Sequence, residues 1–176
     1  MKVVCWPNGN TTQEVVLATI YPDDAVKPTS FLLEDLHLGA RVFFDSNILV
    51  YFADSADPQK QKIAGKLIKN AVINDNGVIS TQSLQEFFAA TTRKLLCSKE
   101  KAKEYLENFK DSFTVEQVSV AHILKAVDIC IKNQFSFWDS LILAAAIQSG
   151  CVICYSEDLT AGQIVEGVKV VNPFGV

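Results

Sequence analysis

The sequence predicts an α/β domain, a parallel sheet with helices packed on both faces. Three observations predict it. The run Val42–Phe44 is apolar without alternation, as in strands buried on both faces, and it stops abruptly at Asp45-Ser46-Asn47. Short runs of the same kind, Val78–Ser80 and Cys151–Tyr155, are separated by longer segments with helical spacing. The connections between them are short, so the β-α-β-α order implies parallel strands joined by crossover helices.

The bulk properties agree. The 176 residues, 49% of them hydrophobic, suit one globular domain with a full core and room for an appendage. The net charge of -4 means that a nucleic-acid role would need a local basic patch. An acidic balance also suits a basic protein partner. The cysteines (Cys5, Cys97, Cys130, Cys151, Cys154) are odd in number and lie mostly in apolar runs, as small buried hydrophobes of a reducing compartment do. Cys151 and Cys154 form a C-x-x-C with no second pair to complete a zinc site. In a regular strand the two would face opposite ways, and they are read as core. No signal peptide or membrane-spanning run is evident, so a soluble cytoplasmic protein is expected.

In chain order, residues 1–40 read as an N-terminal extension. Val3–Trp6 and Val15–Ile20 flank the turn pair Asn8-Gly9, a hairpin pattern. Pro22 to Pro28 reads as a linker, and Phe31–Leu38 as a short docking helix that includes His37. After the strand at Val42, Ile48–Phe52 continues as a helix. Asp57-Pro58 opens a second, over Gln59–Ile73, with Pro at the first helical position. Its lysines Lys60, Lys62, Lys66 and Lys69 read as a solvated face. Asn74–Gly77 is a turn before the strand Val78–Ser80. A helix from about Gln82 to Leu96 follows, capped by Thr81 or Ser83, with Glu86 in its first turns against an apolar stripe.

Ser98–Phe109 is a further helix and Phe113–Val118 a short strand. Val120–Lys132 is a helix carrying Ile123, Leu124, Val127 and Ile131 on one side, with His122 expected at the surface. In Phe135–Gly150, Ser136 and Asp139 have capping-box spacing, the alanine-rich body implies close packing, and Gly150 is the stop. Cys151–Tyr155 is a strand ending at Ser156-Glu157-Asp158. Gly162 marks a turn, Val168–Val171 a last strand, and Pro173 ends the fold.

Asp45, Glu86, Asp139 and Asp158 thus occupy equivalent places, two at strand ends and two in first helical turns. Each alone is explained by capping. Together they fall on one rim of a parallel sheet, where open α/β folds bind their ligands. Two carboxylates about 4 Å apart repel by roughly 4 kcal/mol at an effective dielectric of about 20. A cleft of such groups raises its own pKa values or splays unless cations intervene. An all-oxygen ligand set suits Mg²⁺ or Mn²⁺, and a carboxylate-held metal pair stabilises both oxygens of a phosphodiester displacement without a nucleophilic triad, which is not found.

These residues resemble a PIN domain, and specifically the VapC-type toxin ribonucleases of toxin–antitoxin pairs. The matching pieces are FFDSNILVY (Phe43–Tyr51), STQSLQEFF (Ser80–Phe88), TRKL (Thr92–Leu95), SFWDSLILAAA (Ser136–Ala146), YSEDLTAGQ (Tyr155–Gln163) and VNPF (Val171–Phe174). The resemblance spans 41–176. It implies a three-layer α/β/α domain with a central parallel sheet and Mg²⁺- or Mn²⁺-dependent endonucleolytic cleavage of single-stranded or looped RNA. It also implies a homodimer and a cognate antitoxin whose peptide occupies the active-site groove. By residue, it implies Asp45, Glu86, Asp139 and Asp158 as metal-binding acids, Ser46 and Asn47 orienting Asp45, and Ser156 supporting the fourth acid. Glu157 adjoins Asp158, and the family pattern favours Asp158. Arg93, Lys94, Lys99 and Lys101 are candidates to hold the RNA backbone. Residues 1–40 match nothing in the pattern and are read as a docking element, an antitoxin-derived piece or an upstream extension.

Three other readings compete. One is a solitary RNA-processing nuclease. Another is a PIN-like binding module with a vestigial site. The third is a Mg²⁺ phosphohydrolase working through an aspartyl phosphate, which would want an acid two residues after Asp45, where Asn47 stands.

Overall fold

The structure is a computed structural model, and it describes residues 39–93 and 96–175. The hairpin, linker and docking helix expected in the extension, with Cys5 and His37, lie outside the described residues, as does Lys94.

Among the described residues six strands form one sheet: β1 (Arg41–Phe44), β2 (Gly77–Ser80), β3 (Thr114–Glu116), β4 (Cys151–Tyr155), β5 (Ile164–Val165) and β6 (Val168–Val171). Their order is β3-β2-β1-β4-β6-β5. Every pairing is parallel except β5 with β6. That antiparallel edge departs from the all-parallel sheet the sequence implies, because the two residues of β5 carry no strand periodicity of their own. The sheet winds outward from β1 in two directions, toward β2 and toward β4. The switch point therefore opens between the carboxyl ends of β1 and β4, where Asp45 and Ser156–Asp158 stand.

Helices cover both faces, giving the three-layer arrangement. On one side lie α1 (Ser46–Ala53), α2 (Pro58–Ile73), α3 (Thr81–Arg93) and α4 (Lys99–Ser112), whose Ile48, Ile68, Phe87 and Phe109 meet Val42, Phe44 and Ile79 of the sheet. On the other lie α5 (Val120–Asn133) and α6 (Phe137–Gln148), packed on Phe43, Val78 and Val170. Alternate residues of β1 thus face opposite cores, which is why Val42–Phe44 shows no polar alternation. α6 is buried over Ser140–Ala146, and its alanines let it sit close to both the sheet and α5. At β2, a Cβ on Gly77 would fall 2.5 Å from the Phe113 ring, so the close approach of that ring requires glycine.

Four local expectations are corrected. The cap of α3 is Ser80, whose Oγ accepts the Ser83 N–H at 3.1 Å, while Thr81 already lies in the helix. α3 spans Thr81–Arg93, and Leu96 stands outside it. His122 is buried, at 3% exposure, because it reaches back to cap α5: the Ser119 N–H donates to its Nδ1 at 3.1 Å. Finally, Cys151 and Cys154 share one core rather than opposite faces. The pairing steps from Arg41↔Cys151 to Val42↔Ile153, an irregularity that leaves Val152 as an extra residue and reverses the parity of the strand. Burial raises the Cys151 thiol to about 11 and Cys154 well above the ordinary thiol range, so neither is a ready thiolate ligand.

Candidate active site

Asp45 follows β1 and caps α1. Its Oδ1 accepts the Ser46 N–H at 2.6 Å. Its Oδ2 accepts the Ser156 hydroxyl at 2.7 Å and Asn47 Nδ2 at 3.1 Å. The carboxyl is 7% exposed. Burial pushes its pKa up to about 6, with the Ser156 and Ser46 hydrogen bonds opposing and the charges of Glu86 and Asp158 adding to the rise.

Asn47 bridges the rim. Besides Asp45, its Nδ2 lies 3.3 Å from Ser156 Oγ and 3.2 Å from Asp158 Oδ2, and its Oδ1 accepts the Glu157 N–H at 3.3 Å. Ser156 Oγ in turn accepts the N–H groups of Asp158 and Leu159 at 3.2 and 3.3 Å. The loop after β4 is therefore folded around one hydroxyl that also holds Asp45.

Asp158, not Glu157, faces this network. Glu157 turns the other way: Oε2 accepts Tyr51 OH and Oε1 accepts Lys60 Nζ, both at 2.5 Å. Lys60 also donates to Tyr51 OH at 2.9 Å and lies over the Tyr51 ring. Burial works to raise the Glu157 carboxyl, but the hydrogen bonds from Lys60 and Tyr51 outweigh it and hold the group below the usual range. Lys60 is thus a loop anchor rather than part of a solvated face. Nothing local in the sequence marks it, because its partner is 97 residues away.

Glu86 projects from α3, whose start is tied to the end of β1 by Ser83 Oγ donating to the Phe44 carbonyl at 3.3 Å. Gln82, one turn earlier, donates Nε2 to Glu86 Oε1 at 2.9 Å and to the Trp138 carbonyl at 3.3 Å. This residue was missed, although a Gln four positions before an acid on a helix is a recognisable pairing. It links Glu86 to the first turn of α6, where Asp139 sits half-buried with its N–H on Ser136 Oγ at 3.1 Å.

Asp45 thus feels the charges of Glu86 and Asp158, and Gln82 ties the Glu86 helix to the turn that carries Asp139. Among the described residues no group of three His, Cys, Asp or Glu is gathered closely enough to hold a metal ion. The donor set still fits a hard divalent cation. The acids present only carboxylate oxygen, with lone pairs beyond the bonds described, whereas Asn47 turns its Nδ2 toward Asp45 and Asp158. Of the cations proposed for RNA, Arg93 and Lys99 are exposed, whereas Lys101 pairs with Glu104 at 3.0 Å.

Comparison with known proteins follows the same lines. A family model described as the PIN domain matches residues 42–161. No curated protein matches the chain. Among solved structures the fold is similar to the Mycobacterium tuberculosis toxin VapC20, described as cleaving the sarcin–ricin loop, with a TM-score of 0.57 and 17% identity, covering 66% of this chain and 89% of that one. It is similar to a toxin–antitoxin complex from Klebsiella pneumoniae, with a TM-score of 0.58 and 17% identity over 77% of this chain and 99% of that one. It is also similar to VapBC2 from Rickettsia felis bound to a fragment of its promoter DNA, with a TM-score of 0.56 and 14% identity over 73% and 96%. At such identities these likenesses establish the fold.

Proposed function

The chain belongs to the PIN-domain family, and on that premise we propose that it is a Mg²⁺- or Mn²⁺-dependent endoribonuclease, the toxin of a toxin–antitoxin pair. The observation that carries this reading is Asp45. It is a buried carboxylate with a raised pKa at the switch point of the sheet, held by Ser46, Asn47 and Ser156 and within electrostatic reach of Glu86 and Asp158. A protein stabilised only by packing gains nothing from that arrangement, which costs stability at neutral pH.

Asp45, Glu86, Asp139 and Asp158 would hold the metal. When bound, the ion supplies Lewis-acid stabilisation of charge on the phosphodiester and a more acidic water. The chain's own residues prepare for this. Asn47 keeps Asp45 and Asp158 on one amide, Ser156 sets the loop that presents Asp158, and Lys60 draws Glu157 aside so that it adds no further charge to the cleft. Arg93 and Lys99 are placed to meet backbone phosphates. Water attacking phosphorus in line expels the 3′-oxygen, leaving a 5′-phosphate and a 3′-hydroxyl. The test is cleavage of unpaired RNA by protein purified free of any partner. Activity with Mg²⁺ or Mn²⁺ that EDTA abolishes is expected, and no cleavage with either ion overturns the reading.

A second reading, a PIN-fold binding module without catalysis, draws on the open spacing of the acids. The same assay separates the two. The antitoxin partner is proposed from the similarity to VapC20 and the two toxin–antitoxin complexes. A small neighbouring reading frame for a DNA-binding protein would support it, and its absence would favour a solitary nuclease. No helix among the described residues is long and apolar enough to cross a membrane.

The homodimer is supported by α5. Its Val120, Ile123, Leu124, Val127 and Ile131 do form one stripe, but the stripe faces solvent, with Leu124 63% and Ile131 75% exposed. Only the narrow opposite face, His122, Ala126 and Ile129, is buried. A stripe of this kind marks an interaction surface, and a second copy meeting it helix on helix gives a closed, self-complementary contact. The expected mass by light scattering is twice that of the chain, falling to one chain in the Leu124→Glu/Ile131→Glu variant. A monomeric parent, or a variant that stays dimeric, rules this out.

A further inference from the structure

Trp138 directly precedes Asp139 in the first turn of α6, yet it is 63% exposed, at the head of a helix that is otherwise the most buried of those described. Its backbone is tied down. Its carbonyl accepts Gln82 Nε2, the same amide that holds Glu86. Its ring meets Phe137 edge to face, with centroids 5.3 Å apart, and Phe137 packs on the core. The neighbouring rim is polar: Ser136, Asp139 and, through Gln82, Glu86. An indole open to solvent can anchor a protein partner or stack on a base; its place beside the acids proposed to hold the metal favours the base. That place suits a flat aromatic ligand whose charged backbone passes the cation site.

We propose that Trp138 is a base-stacking platform that seats an unpaired nucleobase next to the scissile phosphate, and that it restricts the substrate to single-stranded or looped RNA. The inference rests on the ribonuclease reading and adds the group that selects the strand. Every nucleobase has a π face, so the platform tolerates sequence but not pairing, because in a duplex those faces are already stacked. The Gln82 bridge ties the backbone that carries Trp138 to Glu86, so the turn bearing the platform and this acid are held together.

The experiment uses the full chain with Glu86→Gln to stall cleavage, Mg²⁺ present, and a labelled 12-nucleotide unpaired RNA read by anisotropy. Adding Trp138→Ala is expected to weaken binding roughly ten- to hundredfold, the range for one lost base stack. Trp138→Phe, which keeps a smaller ring, should restore most of it. Annealing the RNA to its complement should abolish the difference between the variants. The chain has two tryptophans, Trp6 and Trp138. In a Trp6→Phe background, the remaining fluorescence should quench as the RNA saturates. Unchanged affinity in Trp138→Ala, equal sensitivity on duplex, or a changed oligomer mass with RNA binding intact would each overturn the proposal. If the parent cleaves and Trp138→Ala binds normally, the platform falls and the nuclease stands. If Trp138-dependent binding persists in a parent that never cleaves, the reverse holds.

Discussion

Asp139→Asn is expected to lower RNA cleavage by about 10²–10³-fold, the scale on which a single preorganised charge-stabilising group acts, while leaving the fold nearly as stable as the parent. Asp139 sits in the first turn of α6, capped by Ser136, and Asn has the same shape there. The charge lost from the helix N-terminus is worth about 0.3–1 kcal/mol, and relief of repulsion among the neighbouring acids offsets part of it. A large fall in rate with little change in melting temperature therefore isolates chemistry from folding. Measured as initial rates at saturating Mg²⁺, cleavage by Asp139→Asn equal to the parent's would remove this residue from the site. A collapse of the melting transition would instead mean that Asp139 serves the helix cap.

How much of this was legible depended on the range of the interaction. Asp45 and Asp139 could be placed because a strand end and a helix start are local patterns, and each acid sits where its own few neighbours dictate. The face of an amphipathic helix is harder to assign. The stripe on α5 was recognised as one stripe, but periodicity does not say whether it meets the core or solvent. In this fold α6 takes the core position and leaves α5 outside. The Cys151–Cys154 pair was misplaced because one extra residue at Val152 reverses strand parity, and nothing in the residue types announces it. Lys60 was missed for the plainest reason: a lysine on a polar helix face looks solvated until the chain brings back Glu157.

The second large effect is on stability, and its sign follows from Asp45. In the unfolded chain this carboxyl titrates near 3.8, and in the folded protein burial holds it near 6. Below pH 3.8 both states are protonated and the group contributes nothing. Between 3.8 and 6 the unfolded chain releases its proton first while the native state keeps it, so stability falls as pH rises. Above 6 the full cost remains, about 3 kcal/mol for a group this deeply buried. The parent without divalent ions should therefore lose about that much from Asp45 between pH 4 and pH 7. Asp45→Asn has no proton to lose, so the variant should show a flatter profile across the same range. Mg²⁺ should return stability to the parent above pH 6 and not to the variant, because only the ionised carboxylate competes for it. Urea midpoints across pH 4–8, with and without Mg²⁺, measure all three. Parallel pH profiles for the two proteins would mean that Asp45 is not the group held out of its normal titration range, and the electrostatic basis of the site would have to lie elsewhere.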